Sequence, residues 1–580
     1  LAHTNKWHRQ QALRLLADRR DGAVVDKLKR LAAQPDNPHA LDALWALHAS
    51  GGFTGEIAIN LMLHPQAEVR GWTARLIGDL LGRSSAGLRP AVTHERQELS
   101  ASLLNALRVL ARRDTNPQIR SQLASTAKRL PGERALPLVF ELCTRAEDDA
   151  DPHIPLLLWW SLEDKAISNR REVARAFEQP KLWSQPLVRR HMLHRLARRY
   201  ATLPTPENQE ILAALLRSAP DADTRKRLLD GINEAFKGRG AEGLISSLGQ
   251  ALDQPGASGK RDPSQLALAL RRGDPRAVSE ALGFIAQEDA KNETARVQVI
   301  AALGESDRKE ATSVLLELLA GSRNGTVRQA AVEALGHFDS PELADDILSR
   351  WSSLDSPLRR SALSVLCSRK AWAGRLLSAV GGAGVISKQD VPDEMVNRIR
   401  LLRDAEISAM CDRYFGKVSV ATTEEKQKRI VDVAAILKAG PGGDTRAGQT
   451  LFAARCAACH ELFGEGGKAG PELTGYERTN LETMLLNIVD PNVAIREGYT
   501  LFQIATKDGR ELAGFIIERD GSRITLRDLS GALTVVPLDR VQTEQAVPTS
   551  IMPEGLLDDL APRQIRDLFA YLTSPSLPRP

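Results

Sequence analysis

Apolar positions along most of this chain recur every three to four residues. Segments such as Trp7 to Ala17, Val24 to Ala33 and Ala40 to Ala49 place them at i, i+3, i+4 and i+7, which predicts amphipathic helices. The connections are short and carry Asp, Asn, Pro or Gly. The pattern continues to about residue 380 and predicts helices in pairs.

A longer period overlies the short one. Ala295-Arg296 to Leu303-Gly304, Val327-Arg328 to Leu335-Gly336 and Leu358-Arg359 to Leu366 align, with their arginines 31 to 32 residues apart. Glu68-Val69-Arg70 to Ile77-Gly78 and Gln118-Ile119-Arg120 to Ala127 are more diverged copies. Each unit resembles a short HEAT repeat, in which an arginine near the start of the second helix bonds neighbouring turns. One helix pair cannot bury its apolar stripe alone, so the units are expected to stack into an α-solenoid over residues 1–385. Asp151-Pro152-His153-Ile154-Pro155, followed by Trp159 and Trp160, breaks the regularity. It reads as an irregular packed repeat rather than a docking surface, because apolar aromatics usually fill cores. His153 has no matched partner, and His191 and His194 read as surface or packed histidines.

From Val391 to Lys438 the pattern predicts two longer polar-rich helices, Glu394 to Arg403 and Glu424 to Leu437, in a connector over 386–440. Gly440-Pro441-Gly442-Gly443-Asp444 then marks a domain boundary. Beyond it, over 441–580, the period changes. Tyr499 to Ile504, Glu511 to Ile517, Arg523 to Leu526 and Leu533 to Val536 read as four short strands. Asp508-Gly509, Asp520-Gly521 and Ser530-Gly531 separate them as hairpin turns, giving a β-meander at about 498–541. The fold class is therefore mainly α with a small antiparallel insertion.

Charge and composition narrow the function. A formal net charge of +5 over 580 residues is small, and no long basic run appears, so nucleic acid is not an expected partner. No apolar stretch approaches the roughly 20 residues that span a bilayer. P-loop, dinucleotide, zinc-protease and nucleophile-elbow patterns are absent, and no catalytic constellation stands out. Among the five cysteines, Cys143 and Cys367 sit at helical core spacing and read as buried.

The remaining chemistry lies in Arg455-Cys456-Ala457-Ala458-Cys459-His460. Cys-x-x-Cys-His is the c-type haem attachment pattern. On a helical turn, positions i, i+3 and i+4 share a face, so both thiols can reach the haem vinyl groups while His460 supplies an axial ligand. A zinc half-site would need further ligands at metal spacing, and a thioredoxin-like pair would need a βαβ setting. Neither is offered nearby.

The surroundings carry a resemblance. A short helix from Ala447 to Phe452 precedes the motif, and Gly470-Pro471-Glu472-Leu473 follows it. Met552 stands before Pro553, and a terminal helix runs from Leu560 to Leu572. This order resembles class I cytochrome c domains. The resemblance implies that Pro471 helps hold the proximal histidine and that Met552 is the sixth ligand. It also implies that Gly448 and Phe452 pack against Leu568 and Tyr571. Met552 lies about 90 residues beyond His460, a gap the β insertion fills. Met484 is the rival ligand, although its helical spacing makes it an ordinary core residue. With the meander, Asp490-Pro491-Asn492 and Gly498-Tyr499, roughly the last 135 residues resemble haem-binding C-x-x-C-H domains of the planctomycete and verrucomicrobial type. Members commonly join helical repeats and often an N-terminal β-propeller dehydrogenase.

The expectation is a c-type cytochrome with one covalent haem c held by Cys456, Cys459, His460, Pro471 and Met552, the iron bound by His460 and Met552. Its partner would be a redox protein or an attached dehydrogenase domain, with the repeats as scaffold. The resemblance implies a periplasmic or otherwise exported protein. The chain opens on Leu1 without a signal sequence, so a signal peptide, or a whole domain, is expected upstream. An open-site haem enzyme or sensor, or a repeat scaffold for protein interaction, are the alternatives.

Overall fold

The computed structural model describes the chain except residues 82–93, 242, 255–259, 289–291, 307, 382–385, 417–421, 477, 497, 530, 579 and 580. Ser530 of the expected third turn and the expected solenoid limit near 385 lie outside the described residues. The fold divides into two compact units, residues 1–236 with 243–265, and residues 237–242 with 266–580.

In the first unit, alternate helices stack on one another. Ala67–Leu81, Pro117–Arg129 and Ile154–Ala166 form part of one layer, and His94–Arg113, Gly132–Leu142 and Arg170–Ala176 part of the other. This two-layer stacking is that of a HEAT-like solenoid. Trp159 is buried in it, whereas Trp160 is exposed with the Lys128 ammonium over its ring. His191 bonds Asp149 and His194 pairs with Glu234, so both have local partners. Cys143 is buried, which pushes its thiol up to about 12.

The repeat arginines work as the helix ends require. The last carbonyls of a helix lack intrahelical donors, and a guanidinium offers five N–H groups in a fixed fork. Arg70 donates to the carbonyls of His64 and Pro65 at 2.8 Å and bridges to Asp114 at 2.7 Å. Arg120 donates to the Asp114 carbonyl at 3.1 Å and to Asp148 at 2.6 Å. In the second unit, Arg296 donates twice to Ile285 O, at 2.7 and 3.0 Å, closing the end of helix Pro275–Ile285. Arg328 likewise closes helix Ala311–Gly321 through Leu319 O at 2.7 Å and reaches Ser353 O at 3.2 Å. Glu293–Glu305, Gly325–Leu335 and Ser356–Leu366 thereby stack as one layer. Cys367 is buried at its end.

The described residues of 391–438 form three helices, not two. Asp393–Arg400 ends before Arg403, which takes a left-handed φ of 50°. Asp404 then caps Ala405–Phe415 by accepting from Glu406 N and Ile407 N. The third, α1 (Thr423–Lys438), starts with a capping box between Thr422 and Glu425.

After α1 come α2 (Thr445–Arg455), the two-residue strands β1 (Glu461–Leu462) and β2 (Glu465–Gly466), α3 (Leu481–Val489) and, last, α4 (Pro562–Leu572). Val433 of α1, Phe452 of α2, Met484 and Leu485 of α3, and Leu568 and Tyr571 of α4 share one core. The expected crossing of α2 and α4 is present. A Cβ on Gly448 would lie 2.0 Å from Asp567 O, and the Phe452 and Tyr571 rings stand 5.5 Å apart.

Between α3 and α4 the chain forms β3 (Phe502–Thr506), β4 (Glu511–Arg519), β5 (Arg523–Arg527), β6 (Leu533–Pro537) and β7 (Val541–Ala546). The sheet is antiparallel with order β6-β5-β4-β3-β7. Strand β7 extends the meander beyond four strands. It pairs with β3 at the sheet's edge and reads Val-Gln-Thr-Glu-Gln-Ala, too polar to show a strand period. The sheet rests on the repeat helices of its own unit. Ser364 donates to Asp528 at 2.7 Å, Arg369 to Asp508 O at 2.6 Å, and Glu511 N to Ser368 O at 2.7 Å.

Candidate functional site

The Cys-x-x-Cys-His segment follows directly from α2. Asp444 caps that helix by accepting from Arg446 N at 2.8 Å, and its own N–H donates to Asp567 on α4. Beyond Arg455 the backbone makes one further turn, with Cys456 N bonded to Phe452 O at 2.8 Å and His460 N to Cys456 O at 2.9 Å. The i to i+4 bond places Cys456, Cys459 and His460 as the pattern requires. The β1–β2 hairpin folds back against this turn without clearance. A Cβ on Gly466 would stand 2.1 Å from His460 O, and one on Gly467 2.2 Å from Ala458 O.

The imidazole is held on two sides. His460 Nδ1 lies 2.8 Å from Pro471 O, an acceptor, so Nδ1 carries the proton and Nε2 keeps its lone pair. Gly470 lies against the ring, where a Cβ would come within 2.7 Å of Cε1. Burial lowers the basicity of His460, an effect partly opposed by the Pro471 bond, and favours the neutral, metal-ligating form. Burial also pushes the Cys456 thiol up to about 11 and raises Cys459.

These groups open on a cavity of about 450 Å3. That is within the roughly 300–1,000 Å3 of cofactor pockets. Cys456, Cys459, His460, Gly470 and Pro471 line it, as do Met552 and its neighbours Ser550 to Pro553. Met484 and Ile488 of α3, with Leu568 and Leu572 of α4, supply apolar wall. All five residues expected at the site therefore line one cavity, and so does the rival Met484. The two methionines differ in setting. Met484 is buried within the core, while Met552 sits half-buried on a loop. The apolar lining, two thiols on one turn and a neutral histidine with a free Nε2 fit a haem. Among the described residues, no group of three or more His, Cys, Asp or Glu is placed to hold a metal ion, so a zinc half-site finds no further ligands.

Sequence reasoning missed Arg478. It lines the cavity, stacks on Phe463 at 4.8 Å, and donates to Leu572 O and Ser574 O at 2.7 Å, closing the end of α4. A lone arginine in a loop carries no period to reveal it. Gly470 was visible as part of a turn, but its approach to the imidazole required the fold.

Comparison with known families gives two matches. The HEAT repeats model matches residues 279–367, and the Cytochrome c model matches residues 445–511. No match is found among curated proteins. The second match contains the Cys-x-x-Cys-His turn and supports a haem-binding, electron-transfer role. No helix among the described residues is long and apolar enough to cross a membrane. The chain joins HEAT repeats to a C-terminal cytochrome c domain.

Proposed function

We propose that residues 441–580 form a c-type cytochrome with one covalent haem, bound through Cys456 and Cys459 and ligated by His460 and Met552. One observation carries the reading: His460, oriented by the Pro471 carbonyl, faces the same apolar cavity as both thiols and Met552. When bound, haem supplies a one-electron ferric/ferrous couple, and methionine ligation raises its potential. The residues do the rest. Pro471 O holds the imidazole through Nδ1, and the hydrogen bond raises its strength as a donor. Leu568, Leu572 and Ile488 line the cavity and would keep water from the bound group. The HEAT repeats serve as scaffold over 1–385, with 386–440 as connector. The protein works outside the cytoplasmic membrane, in a periplasm or its equivalent, and its electrons come from a partner or attached dehydrogenase.

The test is an optical spectrum of protein matured with haem in a bacterial periplasm, oxidised and reduced, beside Met552→Ala. A low-spin wild type, with high-spin iron and ligand binding gained only in the variant, is expected. A wild type already high-spin and unchanged by the substitution overturns the axial assignment in favour of an open site. Haem that dissociates in denaturant overturns covalent attachment.

A further inference from the structure

The loop bearing Met552 is fastened by a polar cluster that includes α1, a helix outside the cytochrome c match. Lys426 Nζ donates to Glu554 Oε1 at 2.6 Å and to Asp490 Oδ1 at 3.0 Å. Glu554 Oε1 also accepts from Asn492 Nδ2 at 2.7 Å. Asn492 Oδ1 accepts from Ser550 N at 2.7 Å, and Ser550 Oγ from Met552 N at 3.2 Å. One turn further along α1, Arg429 donates to Leu557 O and pairs with Asp558 at 3.1 Å. The loop is thus held on both sides of the methionine.

The cluster is shielded. The Lys426 and Glu554 side chains are 12% and 18% exposed, and Glu554 Oε2 is buried without a hydrogen-bond partner among the described residues. Lys426 supplies the nearest opposite charge to that carboxylate. Without it, a half-solvated anion would sit two residues from Met552, and hydrating it would draw the loop outward. Residues 547–561 contain no helix or strand, so the loop has no regular hydrogen bonds of its own to resist that movement.

We propose that Lys426 and Glu554 are positioning residues that hold the Met552 thioether in place, which makes α1 a working part of the haem site. This rests on the Met552 reading above. Loss of the clamp frees the sixth position and so exposes the iron to small ligands.

The full chain, matured with haem in a bacterial periplasm, is compared as wild type, Lys426→Met, Lys426→Arg and Glu554→Gln. Three readouts are followed: the far-red thioether-to-ferric-iron band, the rate of carbon monoxide binding to the reduced protein, and the reduction potential. Lys426→Met should bind carbon monoxide roughly tenfold faster or more, the weight of one charge-assisted hydrogen bond. It should also weaken the band and lower the potential. Lys426→Arg should restore all three. If Lys426→Met does not fold, Glu554→Gln decides by the same readouts with a smaller change expected, because it keeps an acceptor for Asn492 and weakens the Lys426 bond to one with a neutral acceptor. Wild-type band, rate and potential in both Lys426→Met and Glu554→Gln would overturn the clamp while leaving the Met552 ligand intact. A wild type without the band would overturn the ligand reading and the clamp with it.

Discussion

At the residue scale, His337 is a half-buried ring that ties the stability of the fold to pH. It lies at the polar cleft where the sheet meets the repeat helices of its unit. Loss of solvent around the ring lowers its pKa first, then Arg510, with Asp508 opposing and Arg369 and Arg540 adding to the effect; the result is about 3. An unfolded histidine titrates near 6.5. Above that pH the ring is neutral in both states and the difference has no effect. Below it the unfolded chain takes a proton that the folded one refuses. Stability therefore falls as pH drops from about 6.5 towards 3, by up to ~1.4 kcal/mol per pH unit. His337→Gln should flatten that part of the curve, measured as melting temperature of the full chain against pH. An unchanged curve would mean the ring is already solvated.

At the element scale, Arg70, Arg120 and Arg328 each close a helix of their own repeat and also reach the next, whereas Arg296 closes its own alone. The Arg120 and Asp148 side chains are 4% and 2% exposed, so each is the other's main compensation. Arg120→Met should cost about 3–5 kcal/mol in urea unfolding, since it leaves a buried carboxylate alone. Adding Asp148→Leu should recover most of that loss. These arginines were legible in the sequence because their spacing repeats, and α2 and α4 were legible because the Cys-x-x-Cys-His turn and Met-Pro fix their order. Strand β7 was not, because an exposed edge strand needs no alternating apolar residues. Nor was helix Ala405–Phe415, which starts from an aspartate cap just after the left-handed Arg403, where the expected helix from Glu394 ends. The packing of α1 into the haem-domain core rests on Val433, a residue whose apolar spacing fits any amphipathic helix.

At the scale of the whole second unit, the cytochrome c domain is docked to the repeats through its insertion. Asp528 receives Ser364 Oγ at 2.7 Å and lies 3.5 Å from Arg398, whose side chain is 5% exposed. Asp528→Ala should strip Arg398 of that charge and loosen the sheet, at a cost of about 1.5–3 kcal/mol. Hydrogen exchange of β5 and β6 amides should then quicken by roughly tenfold or more, the equivalent of that energy, while α2 and α4 keep their protection. The same insertion has another property. Val547 N bonds Leu501 O at 2.8 Å, so residues 502–546 leave and rejoin the domain at one point. Contour length between the two axial candidates is thereby short-circuited. Met552 hangs on a tether of five residues from Val547, at most about 17 Å of reach when extended. Insertions or deletions within the side branch at 502–546 would leave the length of the tether to Met552 unchanged.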